Sequence, residues 1–493
     1  MSAGKSQINQ YHIIGAGPVG LAAALLLAKS GIQSIVYEGR PEIRHVLQES
    51  YPIGVNPRGL HTLGEISDHL KDACITTGMV VDSWEIFGGS RKVADLKSGH
   101  VYGTSRGKVN ILLAEEAAKS GLIEVKFNHR LREIRFLQKQ LVFDEYLSDG
   151  SKNEVIIDTS TDDSRVIAAD GCNSKARFSL QQQDPHFTAT VVPWKNEFRV
   201  LFATPGKLTP NLNTSTHYIF SGCYCATVNN LDQTQWTLSL GARDDCSLED
   251  RKILLSSEAT PTNITALKSY IERNAPLAAQ LFTDTQELTQ YFSRRSYRGA
   301  VVSCNKSNFD EWLVLIGDAA HSLLPPTGEG INSGLEDALE LVKCIKNHPN
   351  VAFSTYSNKR QKDISALSAY ASYINEGWDL KVPGEAGARL TFMILESLLK
   401  SSGLFSSDIN TELFGPKSVQ RIPYSTIVGS WLSRKRYLLP FARLFIYPFA
   451  WLFVIVSLPI TFVRFVSRWL RSNNDGDDVN HLLPKTLKPP IAY

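Results

Sequence analysis

Gly15-Ala16-Gly17-Pro18-Val19-Gly20 follows the apolar run Tyr11-His12-Ile13-Ile14 and opens an Ala- and Leu-rich stretch that stops at Gly31. This is GxGxxG between a strand and a helix. Gly15 permits the tight turn, Gly17 lets backbone approach a pyrophosphate, and Gly20 allows close helix–strand packing. Pro18 stands just inside the helix start, where its missing N–H costs little, and Val19 completes the first turn. The free N–H groups and partial positive charge of that helix end suit phosphate oxygens.

Working outward, Ser34-Ile35-Val36-Tyr37 is a second short strand, which completes a β-α-β unit with a right-handed crossover expected. Glu38 ends that strand, placed to accept hydrogen bonds from ribose hydroxyls and to repel a 2′-phosphate. Arg40, two residues on, is positioned for the adenosine end of a dinucleotide. This unit alone fits NAD and FAD equally.

Helices are expected over 62–80, 108–120, 262–275, 276–284, 331–347 and 358–378. Strands are expected over 123–128, 131–136, 140–146, 164–169, most of 186–246, and Leu313-Val314-Leu315-Ile316. The 493 residues, 43 % hydrophobic and 20 % charged, exclude a disordered or disulfide-stapled chain and allow several domains. A formal charge of +3 argues against a nucleic-acid binder. Seven scattered cysteines without a CxxC pair point to a reducing compartment, and no metal site is expected.

Two further segments carry the family signal. Asp170-Gly171-Cys172-Asn173-Ser174-Lys175-Ala176-Arg177 reads DGxxSxxR. Gly317-Asp318-Ala319-Ala320-His321 leads into Pro325, Gly328, Gly330, Ile331 and Asn332. With the first motif they resemble the FAD-dependent aromatic hydroxylases, the para-hydroxybenzoate hydroxylase-like group A flavoprotein monooxygenases. Ser50 to Leu60 (with Arg58), Thr104 to Asn110 (with Arg106), His217 to Phe220 and Ile331 to Leu339 are similar to kynurenine 3-monooxygenases.

The resemblance implies FAD as cofactor, NAD(P)H and dioxygen as co-substrates, and oxygen transfer to an aromatic ring through a flavin hydroperoxide. It implies an α/β fold: a Rossmann-like FAD-binding domain of the GR2 type, interleaved with a β-sheet substrate domain. The implied cofactor set is Gly15, Gly17, Pro18, Val19, Gly20, Glu38, Arg40, Arg58, Arg106, Asp170, Asp318, Gly328, Gly330, Ile331 and Asn332. Within it, Asp318 suits a ribityl hydroxyl and Arg106 the pyrophosphate. His321, Pro325 and Gly328 are the catalytic candidates, because the loop after the GD motif lies beside the isoalloxazine ring in that family.

The resemblance breaks at the substrate. Kynurenine hydroxylases hold a carboxylate with an arginine on the first substrate-domain strand. Here Gly78 to Phe87 contains Asp82 and Glu85 but no arginine, and an acid there repels a carboxylate. Arg91, from the next turn, is the candidate to substitute for that arginine, and Tyr102 is the candidate for the tyrosine that assists it in that family. Pro326-Thr327 and Glu329 also replace the aromatic pair and Gln of that family's loop.

The expected order is FAD-binding parts at 9–80, 104–185 and 291–350, substrate-domain parts at 81–103 and 186–290, and a helical region at 351–430. A membrane segment at 431–472 and a disordered tail at 473–493 follow. The membrane segment holds seven basic and no acidic residues, so the remaining chain carries −4. Within it, Leu444 to Val463 are twenty uncharged residues, long enough at ~1.5 Å each to cross ~30 Å of hydrocarbon. A membrane anchor with the catalytic part facing the cytosol is the expectation. The alternatives are an epoxidase of a prenyl or terpenoid alkene, a flavin-dependent reductase, and a non-catalytic prenyl-binding escort protein, all on this fold.

Overall fold

The structure is a computed structural model that describes residues 10–44, 50–228, 234–243, 246–376, 382, 384–405 and 408–475. Side chains at 375, 376, 386 and 452–475 lie outside the described residues. The chain divides into a first unit, residues 1–375 with 407–430, and a second, residues 376–406 with 431–493.

Four parallel strands of the first unit end on one line. Gln10–Ile14 lies between Gln33–Tyr37 and Ser164–Ala168, and the latter pairs with Leu313–Leu315. The register sets Ile14 against both Tyr37 and Ala168, and Ala168 against Leu315. Gly15, Glu38, Asp170 and Asp318 therefore emerge together at the carboxyl edge, where open α/β sheets bind ligands. Ile123–Lys126 and Asn308–Phe309 complete this six-stranded sheet.

The Pro18–Lys29 helix buries Leu21 to Leu27, and its alanines let it pack between the sheet and the Gly330–Asn347 helix. Its apolar residues run all round, as expected of a helix with no solvent face.

The second sheet has eight strands in the order Tyr297–Cys304, Ala189–Phe202, Trp236–Ala242, Cys223–Thr227, Thr216–Phe220, Met79–Gly88, Arg91–Ser105, Pro52–Val55. Side chains alternate across it. Leu201, Tyr218, Phe220, Cys223, Cys225, Leu238 and Leu240 face a core closed by the helices Leu248–Leu255, Pro261–Asn274 and Thr285–Tyr291. Trp194, Phe198, Val200 and Phe202 face a different cluster, with Leu323, Leu324, Leu367, Leu413 and Tyr424.

Three local expectations shift. Residues 123–126 join the parallel sheet by pairing with Ser34 to Tyr37, while His129–Arg135, Gln140–Tyr146 and Lys152–Asp158 make a separate antiparallel meander. The 62–80 helix is two helices, Pro57–Ile66 and Asp68–Thr77, divided at Ser67, with a strand from Met79. Residues 276–284 hold only a 3₁₀ turn at Ala279–Leu281.

In the second unit, Glu385 accepts from Arg443 Nε and Nη2 at 3.0 and 2.7 Å, from Arg389 Nε at 2.8 Å, and from the Tyr447 hydroxyl. Burial opposes its charge, but these partners prevail and hold the carboxyl at about 2. Among the described residues no helix is long and apolar enough to cross a membrane. The uncharged run of 444–463 extends past Trp451, so most of its side chains lie outside the described residues, as does the tail from residue 476.

Candidate active site

The cradle at the sheet's carboxyl edge is made of turns that admit only glycine. Gly15 has φ +100°, and a Cβ there would lie 2.6 Å from the Ala169 carbonyl oxygen. A Cβ on Gly20 would lie 2.0 Å from the Gly15 carbonyl oxygen. At Gly17 the same test meets nothing within 4 Å, so the helix N-terminus opens onto free space.

Glu38 braces this turn. Its Oε2 accepts from Ala16 N at 3.0 Å, and its Oε1 from Arg40 N and Nε at 2.9 and 3.0 Å. Burial works against the charge, yet the bonds from Arg40 and Ala16 keep the carboxyl below its usual range.

Two aspartates flank the opening. Asp170 Oδ2 accepts from the backbone of Lys175 and Ala176 at 2.8 and 3.1 Å and so caps the Lys175–Gln183 helix. Its Oδ1 is buried and has no partner. Burial pushes the Asp170 carboxyl up. Asp318 is also pushed up by burial, ahead of the lowering charges of Arg106 and His321, yet it keeps accessible surface. The space beside its exposed carboxyl, at the edge of the cradle, is the hollow of the candidate site. Arg106 opens the Arg106–Ala117 helix, is exposed, and its charge reaches both Asp318 and Tyr51.

Arg177, the last residue of DGxxSxxR, ties the two aspartate turns together. Its Nη1 donates to the Ala319 carbonyl at 2.9 Å and its Nη2 to that of Cys172 at 2.6 Å. The motif contained this residue, but only the fold shows that it spans two turns.

The loop after the GD turn divides in two. Pro325 and Gly328 are exposed, and Gly328 takes φ +65°. Gly330 and Ile331 are half-buried at the start of the Gly330–Asn347 helix. Asn332 is fully buried: its Nδ2 donates to Gly54 O and Gly328 O at 3.0 and 2.9 Å, and its Oδ1 accepts from Asn56 N at 2.9 Å. Its side chain braces the loop and does not face the hollow.

His321 and Arg58 need correction in the same sense. His321 is 1 % exposed, with Nε2 against Asp337 Oδ2, an oxygen that also accepts from Gly317 N at 3.0 Å. Burial opposes charge on Asp337, but His321 and Arg360 outweigh it and hold the carboxyl at about 2. The imidazole fixes the GD turn and does not reach a substrate. Arg58 donates to Glu336 at 2.9 Å and to the Ile422 carbonyl, and it lies 4.0 Å from the Tyr424 ring centre. Both donors serve the scaffold.

Neither substrate candidate reaches the hollow. Arg91 is exposed beside the Gly89–Ser90 tip, at the far end of a 15-residue strand from Ser105. Tyr102, half-buried, pairs with Val55 and Val80 on the neighbouring strands and packs against the core cluster that contains Val55 and Leu70. Of the two acids, Asp82 is exposed and Glu85 accepts from Lys92 at 2.7 Å.

The wall that does face the cradle is aromatic. Tyr51, whose environment includes Arg106 and Asp318, meets Tyr297 edge-on at 5.1 Å and Phe198 at 6.0 Å; Trp194 packs on Phe198. On neighbouring strands Trp84 lies against Phe414 and His217, and His217 Nδ1 bonds the Tyr224 hydroxyl at 2.7 Å. Strand alternation alone did not mark these residues, because either face of the sheet reads as apolar.

The cradle fits a flavin dinucleotide. There is open space at Gly17 beside free N–H groups, an unpartnered Asp170 oxygen, an accessible Asp318 for a hydroxyl-bearing chain, and a cation at Arg106. Residues 9–367 match the family described as FAD binding domain. The chain is 26 % identical to a kynurenine 3-monooxygenase of Caenorhabditis elegans over 442 residues, 84 % of this chain and 91 % of that one. It is 24 % identical to one of Aspergillus terreus, over 75 % of this chain and 79 % of the other. The fold is similar to that of p-nitrophenol 4-monooxygenase from Pseudomonas putida, at TM-score 0.58 and 17 % identity, covering 78 % of this chain and 92 % of that one. It is equally similar to 2-methyl-3-hydroxypyridine-5-carboxylic acid oxygenase, at TM-score 0.58 and 16 % identity, over 79 % and 97 %.

Proposed function

Because this chain belongs to the FAD-binding-domain family and is an FAD-dependent monooxygenase, we propose that it hydroxylates an aromatic ring held between the cradle and the Tyr51–Phe198–Tyr297 wall. The observation that carries this reading is Tyr51, edge-on to Tyr297 at 5.1 Å and within reach of the charges of both Arg106 and Asp318. When bound, FAD would supply the two electrons, received from NAD(P)H, that activate dioxygen, one atom of which goes to the substrate and the other to water.

The chain's own residues do the rest. The open helix end at Gly17 and the Arg106 guanidinium hold the pyrophosphate, Glu38 with Arg40 the adenosine end, and Asp318 the ribityl chain. Gly328 and Pro325 leave backbone at the loop surface, where a ring can approach closely. The aromatic wall excludes water from the reacting centre and orients a flat substrate.

The curated relatives are named for kynurenine, but no arginine stands on the Met79–Gly88 strand and Arg91 is remote. We therefore read the substrate as an aromatic without a carboxylate that must be paired at this strand. The lack of a cation there also favours the second reading, epoxidation of an apolar alkene.

A membrane surface is part of this proposal. Leu444 and Phe449 are 70 % and 73 % exposed, and Phe441 and Phe445 are about half exposed. These residues lead into the uncharged run that Arg443 and Arg464 bracket. Such a segment favours membrane attachment, with the catalytic unit on the cytosolic side.

The test is anaerobic reduction of the bound flavin by NADPH in detergent-solubilised full-length protein. Phenols and apolar alkenes are expected to accelerate reduction more than kynurenine does. Acceleration by kynurenine alone would overturn the substrate assignment.

A further inference from the structure

The residue that departs from the family's glutamine is the most deeply buried acid of the loop. Glu329 is fully buried at the N-cap position of the 18-residue Gly330–Asn347 helix, where its side chain bonds none of the helix's own N–H groups. Its Oε1 accepts from Asn56 Nδ2 at 2.9 Å, and its Oε2 lies 2.6 Å from the Tyr424 hydroxyl. Every charged group around it is already accounted for. Arg58, from the Pro57–Ile66 helix, lies over the Tyr424 ring and pairs with Glu336 at 2.9 Å. Glu336 pairs in turn with Arg360 of the Ala352–Glu376 helix at 3.0 Å, and Arg360 with Asp337 and Asp363. The nearest cation is thus shared with other acids. Burial pushes Glu329 up to about 7, against the lowering influence of Tyr424, Arg58 and Asn56.

This acid stands at the rim of the cofactor cradle. A Cβ on Gly334 would lie 2.7 Å from Val19, the side chain that also abuts Gly317, so the first turns of the helix rest on both glycine turns. Only ~7.5 Å of helical rise separates Gly334 from Glu329. The positive end of the helix therefore faces the rim, where it stabilises one negative charge. An ionised Glu329 supplies that charge itself. A neutral Glu329 leaves it to an anion bound at the rim.

We propose that Glu329 is a positioning residue that takes up one proton when the flavin is reduced, handing the helix end from the carboxylate to the cofactor. The nicotinamide delivers a hydride, two electrons and one proton, and leaves oxidised; the flavin becomes a monoanion. Glu329 takes a second proton, drawn from the solvent, and becomes the neutral acid. The inference rests on the flavoprotein reading above.

The experiment is the midpoint potential of the flavin in the full-length holoprotein, followed between about pH 6 and about pH 9. Two protons for two electrons make the potential of the native protein fall about twice as steeply above about pH 7 as that of Glu329→Gln, which takes up one. The reduced-minus-oxidised infrared spectrum gains the C=O band of a protonated acid, and Glu329→Gln lacks it. Tyr424→Phe, a second variant should Glu329→Gln fail to fold, keeps the carboxyl and moves the pH at which the slope changes. Equal slopes in native protein and folded Glu329→Gln, or no acid band, would overturn the coupling alone. A purified chain that binds no flavin would overturn the flavoprotein reading, and with it the coupling.

Discussion

The cofactor cradle and the joint around Glu329 adjoin at the start of the Gly330–Asn347 helix and are built on opposite rules. In the cradle, polar capacity is left open: Asp170 Oδ1 has no partner, Asp318 is accessible, and the space at Gly17 is empty of protein. In the joint, it is closed. Asn56, Arg58, Glu329, Asn332, Asp337, Arg360 and Tyr424 bond one another and neighbouring backbone. Uncommitted polar groups at a strand edge bind a ligand. Committed ones hold the loops that shape the site, and burying them is tolerable because each has a partner.

That contrast breaks most severely at the cradle glycines. Gly20→Ala puts a methyl group into the Gly15 carbonyl, and we expect flavin binding to weaken by ~100-fold or more while the second sheet stays folded. Flavin absorbance per protein after gel filtration measures it; full flavin content in Gly20→Ala would show that the turn is not the binding surface.

In the joint, Arg360→Leu leaves the buried Asp337 and the partly buried Glu336 with one fewer counter-charge. The expected loss is about 3–5 kcal/mol of stability, seen as a lower melting temperature, with flavin still bound by the protein that remains folded.

A subtler effect follows from Glu329. Its folded pKa of about 7 exceeds the ordinary 4.5, so the folded state holds a proton that the unfolded chain releases first. This contribution is fully present below about pH 4.5 and is lost as pH rises through about 7, on the order of 3 kcal/mol. Glu329→Gln should flatten that part of the stability–pH curve in chemical denaturation. An unchanged curve would mean that Glu329 is ionised throughout.

The smallest effect is expected at Arg91. Its replacement by Ala should change kcat/KM less than about twofold, since it sits exposed at a hairpin tip. A large rise in KM would return it to the substrate site.

What was legible in the sequence follows the same division. GxGxxG, Glu38, DG and GD each lie at a strand end, and spacing within one β-α unit predicts their place at the carboxyl edge. The joint could not be read that way. Asn56 meets Glu329, and Arg58 meets Glu336 and Ile422, across hundreds of residues. Arg58, His321 and Asn332 lie inside family-like motifs and so looked like ligands; burial and partners make them braces. The aromatic wall was hidden for a different reason: both faces of its sheet are buried, so alternation did not say which one faces the cradle.

The central claim is oxygen transfer from dioxygen to an organic substrate. The most direct test is turnover by the flavin-loaded, full-length protein with NADPH under ¹⁸O₂, on the compound that best accelerates flavin reduction. We predict one ¹⁸O atom in the product, with the other appearing in water. NADPH consumed with only hydrogen peroxide formed, or a product reduced without gaining oxygen, from every compound that accelerates flavin reduction would contradict the account.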